Sequence, residues 1–546
     1  GIPVVDDHVL GLGPQDNIAP DIVNNKGHNK YYMLPLLLGI IGIFYQFQLK
    51  KRGQQSFAVV FMLFFMTGLA IILYLNQTPF EPRERDYAYA GFLKKYIKNT
   101  TVATALATVA TLGIPIQMAS QNWDDHDRSG RTLARDTGMN YLSCVGENAI
   151  LFTNGDNDTY PLWYVQETEG FRTDVRVTNL SFLQTEWYVD QLLRPAYESE
   201  PLPIKWARPQ YSGESGAAAL IITKREIEDV LRQNNIPSVS FSTYYDMNAF
   251  KDTLSLKQTM ENLRTGQNTK PNNPFSTGNT QIIPGNVLSL DVDTAKVNWK
   301  ALAAKPAHKM HINLGERSAV YRQELMIMEM LNNINDENWE RPIHFATTIT
   351  PDLYMNLQNR NFSLNGLTYQ VVPGAPLYNG VNIDTAYDNM VNKFRWGGLE
   401  KNSDIYLDET CRRMLSTFRL YFTHLVNALV EADEKEKALT ALDKVTTMIP
   451  ASAVPYSSDG LLFARAYYRL GEKEKAEALI ADISDRINRN LDWFTRLNPI
   501  QLSNTYIDVM GNNINPMLLI STIYQQYDKQ KYKVMVDDLL HRAQTF

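Results

Sequence analysis

Cysteine is nearly absent. Cys144 and Cys411 are the only two in 546 residues. They offer neither a disulfide framework nor a metal-ligand spacing, and they read as isolated core thiols. Positive charge is also thin: 53 Lys and Arg stand against 59 Asp and Glu, the net charge is −6, and no basic tract exceeds three residues. A nucleic-acid footprint is therefore missing, and no nucleic-acid partner is expected. The usual catalytic signatures are missing too. There is no Ser-His-Asp order, Walker loop, zincin motif or kinase set, and Gly11-x-Gly13 is not followed by a dinucleotide fingerprint. His311, His344 and His424 stand alone and read as structural. The chain opens Gly1-Ile2-Pro3 with no initiator Met or signal peptide and soon becomes apolar, which predicts the downstream part of a longer protein.

What the first quarter has is length without charge. Tyr31–Leu49, Phe57–Asn76 and Asn99–Trp123 are uncharged, each near the roughly 20 residues a helix needs to cross a hydrocarbon core. They predict transmembrane helices over about 31–49, 57–76 and 99–121, with residues 1–30 as an extracytoplasmic loop. Lys50, Lys51 and Arg52 put the first short loop in the cytoplasm, so the third stretch should start outside. Yet Lys94, Lys95 and Lys98 directly precede it. Both clusters can be cytoplasmic only if one more crossing lies between Gly91 and Lys94, which predicts a missing helix near 91–93. A failure of the charge bias, or a stretch that is only interfacial, is the alternative.

Beyond it, residues 122–405 read as an extracytoplasmic α/β domain. Ala149–Thr153 and Val175–Leu180 are buried strands, separated by a turn and a helix over Tyr160–Glu169, a spacing that argues for a parallel sheet. The Ala217–Thr223 strand, the helix to Gln233 and the Val239–Ser242 strand fit the same scheme. Arg317–Asn333 reads as an amphipathic helix, and Arg341–Ala346 and Thr368–Val372 as strands. Residues 406–546 are helical throughout. Glu-Lys-Glu-Lys-Ala occurs at 434–438 and again at 472–476, each copy between two apolar helices. Such units resemble tetratricopeptide repeats, which bind protein partners or serve as a structural cap.

Three clusters carry candidate chemistry. Asp124, Asp125, His126 and Asp127 follow the third apolar stretch, and three carboxylates with an imidazole suit a divalent cation or a phosphate-bearing headgroup held through one. The structural alternative is a set of acidic residues opening a helix over Arg128–Leu142. Asp156 and Asp158 lie at the carboxyl end of a strand, where open α/β sheets place ligands. A calcium-loop match fails there, because Tyr160 and Pro161 occupy its fifth and sixth positions. Helix capping is the alternative. Arg83 and Arg85, beside Tyr87 and Tyr89, are suited to grip a phosphate and stack a sugar, or form a solvated loop.

Asn76–Gly91, Gln121–Arg128 and Leu151–Tyr164 together resemble bacterial membrane proteins related to protein O-mannosyltransferases, of the glycosyltransferase C class. The resemblance is strongest over about 76–195. It implies transfer of a sugar from a polyprenyl-phosphate carrier to an exported protein or glycan acceptor, by a multi-pass protein of the bacterial inner membrane whose carboxy-terminal domains are periplasmic. Relatives carry their acidic general base in an amino-terminal half with no counterpart here, so the resemblance assigns no catalytic residue. They also continue Asp86–Gly91 into a further apolar helix, where this chain has Phe92-Leu93-Lys94-Lys95. The expected architecture is transmembrane α-helices, then an α/β domain, then an all-α tetratricopeptide-like repeat domain. The soluble part is expected to bind donor or acceptor, with Asp124, Asp125, His126 and Asp127 as first contacts. A non-enzymatic, membrane-anchored scaffold or assembly subunit of an envelope complex, docking proteins through its repeats, is the alternative.

Overall fold

The computed structural model describes residues 116–124, 126–213, 216–233, 249–267 and 281–543, with a few isolated positions before them. The chain divides into two compact units, Gly1–Ser129 with Arg489–Asn504, and Gly130–Asn488 with Thr505–Phe546.

The larger unit is organised on a five-stranded sheet. Helix α1 (Leu133–Ser143) leads into strand β1 (Ile150–Thr153), then helix α2 (Asp156–Glu169), strand β2 (Arg176–Asn179), a turn at Leu180–Leu183 and helix α3 (Glu186–Leu192). Much later, helix α4 (Arg322–Asp336) leads into β3 (Ile343–Ala346) and the hairpin β4 (Phe362–Leu364) and β5 (Thr368–Val371). The strand order is β4-β5-β3-β1-β2. Ile150 stands opposite Ile343 on one side and Arg176 on the other, both pairings parallel, whereas β5 and β4 run antiparallel. Every residue of β1, β2 and β3 is buried, as a sheet covered on both faces requires. Phe152 and Phe345 meet at 4.9 Å between ring centroids across the β1–β3 pairing. On one face α1 crosses α2 closely, with Gly138 against the Pro161 backbone.

Two expectations need local correction. Ala218–Ile221 does not extend the central sheet; it lies between Gln281–Ile283 and Ala319–Tyr321 in a separate three-stranded sheet. Its burial alternates residue by residue, which is the pattern of a strand packed on one face. The helix expected from Arg317 begins only at Arg322, because Ala319–Tyr321 is drawn into that sheet. The strand expected at Val239–Ser242 lies outside the described residues.

A helical region follows: α5 (Glu409–Glu431), α6 (Lys435–Met448), α7 (Ser458–Leu470), α8 (Lys473–Phe494), α9 (Asn515–Tyr527) and α10 (Lys529–Ala543). Helix α5 packs on α6 and α7, α7 on α9, and α9 on α10. The two Glu-Lys-Glu-Lys-Ala copies open α6 and α8, and their alanines, Ala438 and Ala476, are fully buried, so the repeated small residue marks a close contact. Asp408 caps α5 by accepting the Cys411 N–H and also pairs with Arg131 at 3.1 Å, joining this region to the α/β part. Inside it, Arg419 is 0% exposed. Its Nη1 meets Asp459 at 3.0 Å, its Nη2 donates to the carbonyls of Ile449 and Val454, and its guanidinium lies 4.0 Å from the Tyr456 ring centre.

The expected architecture of membrane helices ahead of these parts is corrected. Among the described residues no helix is long and apolar enough to cross a membrane. Helix α5 has the length, but it carries Glu409, Arg412, Arg413, Arg419 and Glu431, and each charge at the centre of a bilayer costs about 2.5–3.5 kcal/mol on insertion scales. The stretches 31–49 and 57–76 lie outside the described residues but for isolated positions, as does 99–121 before residue 116.

Candidate functional site

Residues 154–158 close the carboxyl end of β1 and start α2. The expected Asp158 is 5% exposed and is engaged by its own loop. Its carboxylate accepts the N–H groups of Gly155 (2.8 Å) and Asn154 (3.1 Å) and the Thr348 hydroxyl (2.6 Å). This is the carboxylate half of a capping box: Asp158, at the third position of the helix, accepts the N–H of the N-cap Gly155. Asp156, two residues earlier, is exposed. Asp158→Ala is expected to leave two backbone donors and a threonine hydroxyl unpaired and to destabilise the α/β part by about 2 kcal/mol. A shift in the urea midpoint below 0.5 kcal/mol equivalent, on the order of a neutral surface change, would contradict it.

The other expected residues fall elsewhere. Asp124, His126 and Asp127 are exposed, and residues 116–124 and 126 are helical. They do not open α1, which starts at Leu133. The Asp127 N–H donates to the Trp123 carbonyl, and the Asp127 carboxylate accepts the Ser129 N–H at 2.8 Å. Asp125, Arg83 and Arg85 lie outside the described residues. Among the described residues no group of three or more His, Cys, Asp or Glu side chains is placed to hold a metal ion. His344 is buried on β3 with Nδ1 3.1 Å from the Thr368 hydroxyl, and burial pushes its pKa down to about 3, so it stays neutral.

The sequence reading missed a cavity of about 560 Å³ beside β2, the edge strand of the sheet. Its size falls within the roughly 300–1,000 Å³ of small-ligand pockets. One wall is aromatic and is assembled from three segments. Trp163 comes from α2, Phe182 from the turn after β2, and Trp187 and Tyr188 from α3. Trp163 stacks on Phe182 at 6.2 Å and 18°, and Phe182 lies 6.1 Å from Trp187 and 5.8 Å from Tyr188. Tyr160 extends the row beyond Trp163 at 5.8 Å. Trp187 is 56% exposed, so its ring borders the opening.

Asn179 fixes this wall to the strand-end loop. Its side chain accepts the Phe182 N–H (3.0 Å) and donates to the Thr159 hydroxyl (2.9 Å), and its backbone N–H donates to the Tyr188 hydroxyl (3.0 Å). Ser181 adds bonds to the Asn154 carbonyl and side chain. The lining includes Arg176 of β2, whose Nη2 donates to the carbonyls of Gln191 (3.1 Å) and Arg194 (2.9 Å). Burial lowers the Arg176 pKa from its ordinary value. A larger cavity, about 750 Å³, lies between the β4–β5 hairpin and α5, and Lys309, His311, Arg360 and His424 are among its lining. Its aromatic lining is the stacked pair Phe362 and Tyr369 of the hairpin, 5.2 Å apart, and no tryptophan joins them there.

Fold and site together describe a mixed α/β sheet with a ligand-sized, aromatic-walled cavity at its edge strand. Residues 134–387 match the family model of TMEM260-associated domain 2. The matched stretch, a little under half of the chain, holds the whole five-stranded sheet and the cavity beside β2. No curated protein and no solved structure matches the chain.

Proposed function

We propose that this chain works in sugar transfer at the bacterial cell envelope, within a glycosyltransferase-like system related to protein O-mannosyltransferases. In this reading its α/β part binds the saccharide of the polyprenyl-phosphate donor or of the exported acceptor. The observation that carries the reading is the aromatic wall. A sugar ring presents an apolar face of C–H groups and a rim of hydroxyls, and offset aromatic rings over a concave floor suit the first while leaving the second to polar neighbours. Recognition, not bond breaking, is the role for which these residues are fitted, since Trp163, Phe182 and Trp187 bear no group that titrates.

Trp187→Ala tests it. The side chain is largely exposed, so its loss leaves the fold in place, and affinity for envelope oligosaccharides is expected to fall about tenfold, or about 1.4 kcal/mol. Titration calorimetry on the native and variant chains reads the difference. Unchanged affinity, or native protein that binds no saccharide, would reject the reading.

The non-enzymatic alternative, an assembly subunit of an envelope complex, draws on a different observation. Val534 and Leu540 are exposed apolar residues on α10. Envelope proteins co-purifying in fixed stoichiometry would favour it.

A further inference from the structure

We propose that the cavity beside β2 takes a saccharide bearing a carboxylate or a phosphate, and that Arg176 is the residue that reads this charge. The inference rests on the saccharide reading of the same cavity and specifies the class of sugar.

Arg176 is 6% exposed, yet it forms no ion pair among the described residues, and its Nη1 has no hydrogen-bond partner. A buried guanidinium is ordinarily paired or fully hydrogen-bonded, because stripping a cation of water is costly. Other buried arginines of this unit obey that rule. Arg419 leaves its Nε without a partner but pairs with Asp459. Arg341 gives Nε, Nη1 and Nη2 to the carbonyls of Asn148, Pro201 and Glu200. Arg322 reaches the carbonyls of Tyr211, Gln184 and Gly213. Arg176 departs from the rule, and it does so while lining a cavity.

The charged lining as a whole is two arginines against one carboxylate. Arg194 is exposed at the same cavity, and Glu167, the one carboxylate there, is engaged by the Tyr197 hydroxyl. An anionic group entering over the aromatic wall therefore meets two cations against the one carboxylate, which is held by Tyr197. An anion in the cavity would supply the counter-charge that no described residue gives the Arg176 guanidinium. The wall supplies affinity for the ring, and the arginine distinguishes a charged sugar from a neutral one.

Calorimetry on the full chain at low salt, with D-glucuronate, D-glucuronamide, D-glucose 1-phosphate and D-glucose, tests this. Glucuronate is expected to bind at least about tenfold tighter than glucuronamide, a pair that differs in charge and little in shape. Tighter binding of glucose 1-phosphate than of glucose by a similar factor would identify phosphate as the better-fitting anion. Arg176→Met is expected to abolish either preference, and Arg194→Gln to reduce it. Arg176→Met also removes bonds to Gln191 and Arg194 and has to be shown folded by circular dichroism. The glucuronate–glucuronamide comparison on native protein does not depend on that variant. Equal affinity for charged and neutral sugars would overturn the inference and leave the saccharide reading standing. A charge preference that survives in folded Arg176→Met would overturn the role of Arg176. No binding of any sugar would overturn both.

Discussion

Arg419→Ala is expected to destabilise the helical region by about 3–5 kcal/mol, the usual consequence of removing one partner of a buried ion pair. The substitution strands Asp459, which is itself mostly buried. It also leaves the carbonyls of Ile449 and Val454 without their donor and empties the space over the Tyr456 ring. These acceptors lie on the connection between α6 and α7, so one side chain of α5 pins the loop that sets how the next two helices follow. In a chain of this size a single global transition is not assured. The measurement of choice is hydrogen exchange of α5–α7, where protection should fall by the same free energy, together with the urea midpoint. Arg419→Lys keeps the charge but cannot reach Asp459 and two carbonyls with one planar fork, and should recover only part of the loss. Protection within a factor of about three of the native value, under 1 kcal/mol, would reject the assignment.

Gly138→Val is expected to cost about 3 kcal/mol and to weaken saccharide binding as well. A Cβ at Gly138 would stand 2.4 Å from the carbonyl oxygen of Pro161 and 2.8 Å from its carbon. Both are backbone atoms, with no flexible end to turn away. The helices must separate, and overpacking of this kind costs about 1–3 kcal/mol or more. The gain in helix propensity over glycine, under about 1 kcal/mol, does not offset it. Because α2 carries Trp163 and starts at the loop capped by Asp158, displacing it also disturbs the cavity wall. Thermal unfolding and calorimetry on one sample read both effects. Gly138→Ala should show the same direction at smaller size. A valine variant with native stability would mean that α1 and α2 are not in contact at this point.

These two residues show what the sequence makes legible and what it hides. β1 and β3 could be read because Ile150-Leu151-Phe152 and Ile343-His344-Phe345-Ala346 are short apolar runs bounded by polar or turn residues. The helical region could be read from long periodic segments and from the repeated Glu-Lys-Glu-Lys-Ala. The strand at Ala319–Tyr321 was hidden, because it is three residues long, runs straight into the helix that opens at Arg322, and pairs with a strand a hundred residues earlier. The apolar segments before residue 116 dominate a reading by hydropathy, yet no described helix has the composition of a membrane span. Asp158 stands out in sequence as part of an acidic turn, but its lone pairs are taken up by the turn and by Thr348. The cavity was the least legible part. Trp163, Phe182 and Trp187 come from separate elements, and only their stacking makes a wall. Arg176 looks like any charged residue in a strand, because the lack of a partner is a property of three dimensions.

The register of Ile150 against Ile343 has a consequence for how this protein is made. β1 and β2 emerge from the ribosome close together and can pair early. The strand that covers the other flank of β1 is synthesised only after the whole intervening lobe. Until then the nascent polypeptide exposes a bare, strongly apolar ribbon, Ile150 to Phe152, that invites mispairing. Joining distant parallel partners is also slow, because chain-closure entropy is lost before any contact rewards it. Truncations ending before Ala346 should therefore aggregate, those extending beyond Val371 should not, and demand for chaperones should be concentrated in the interval between.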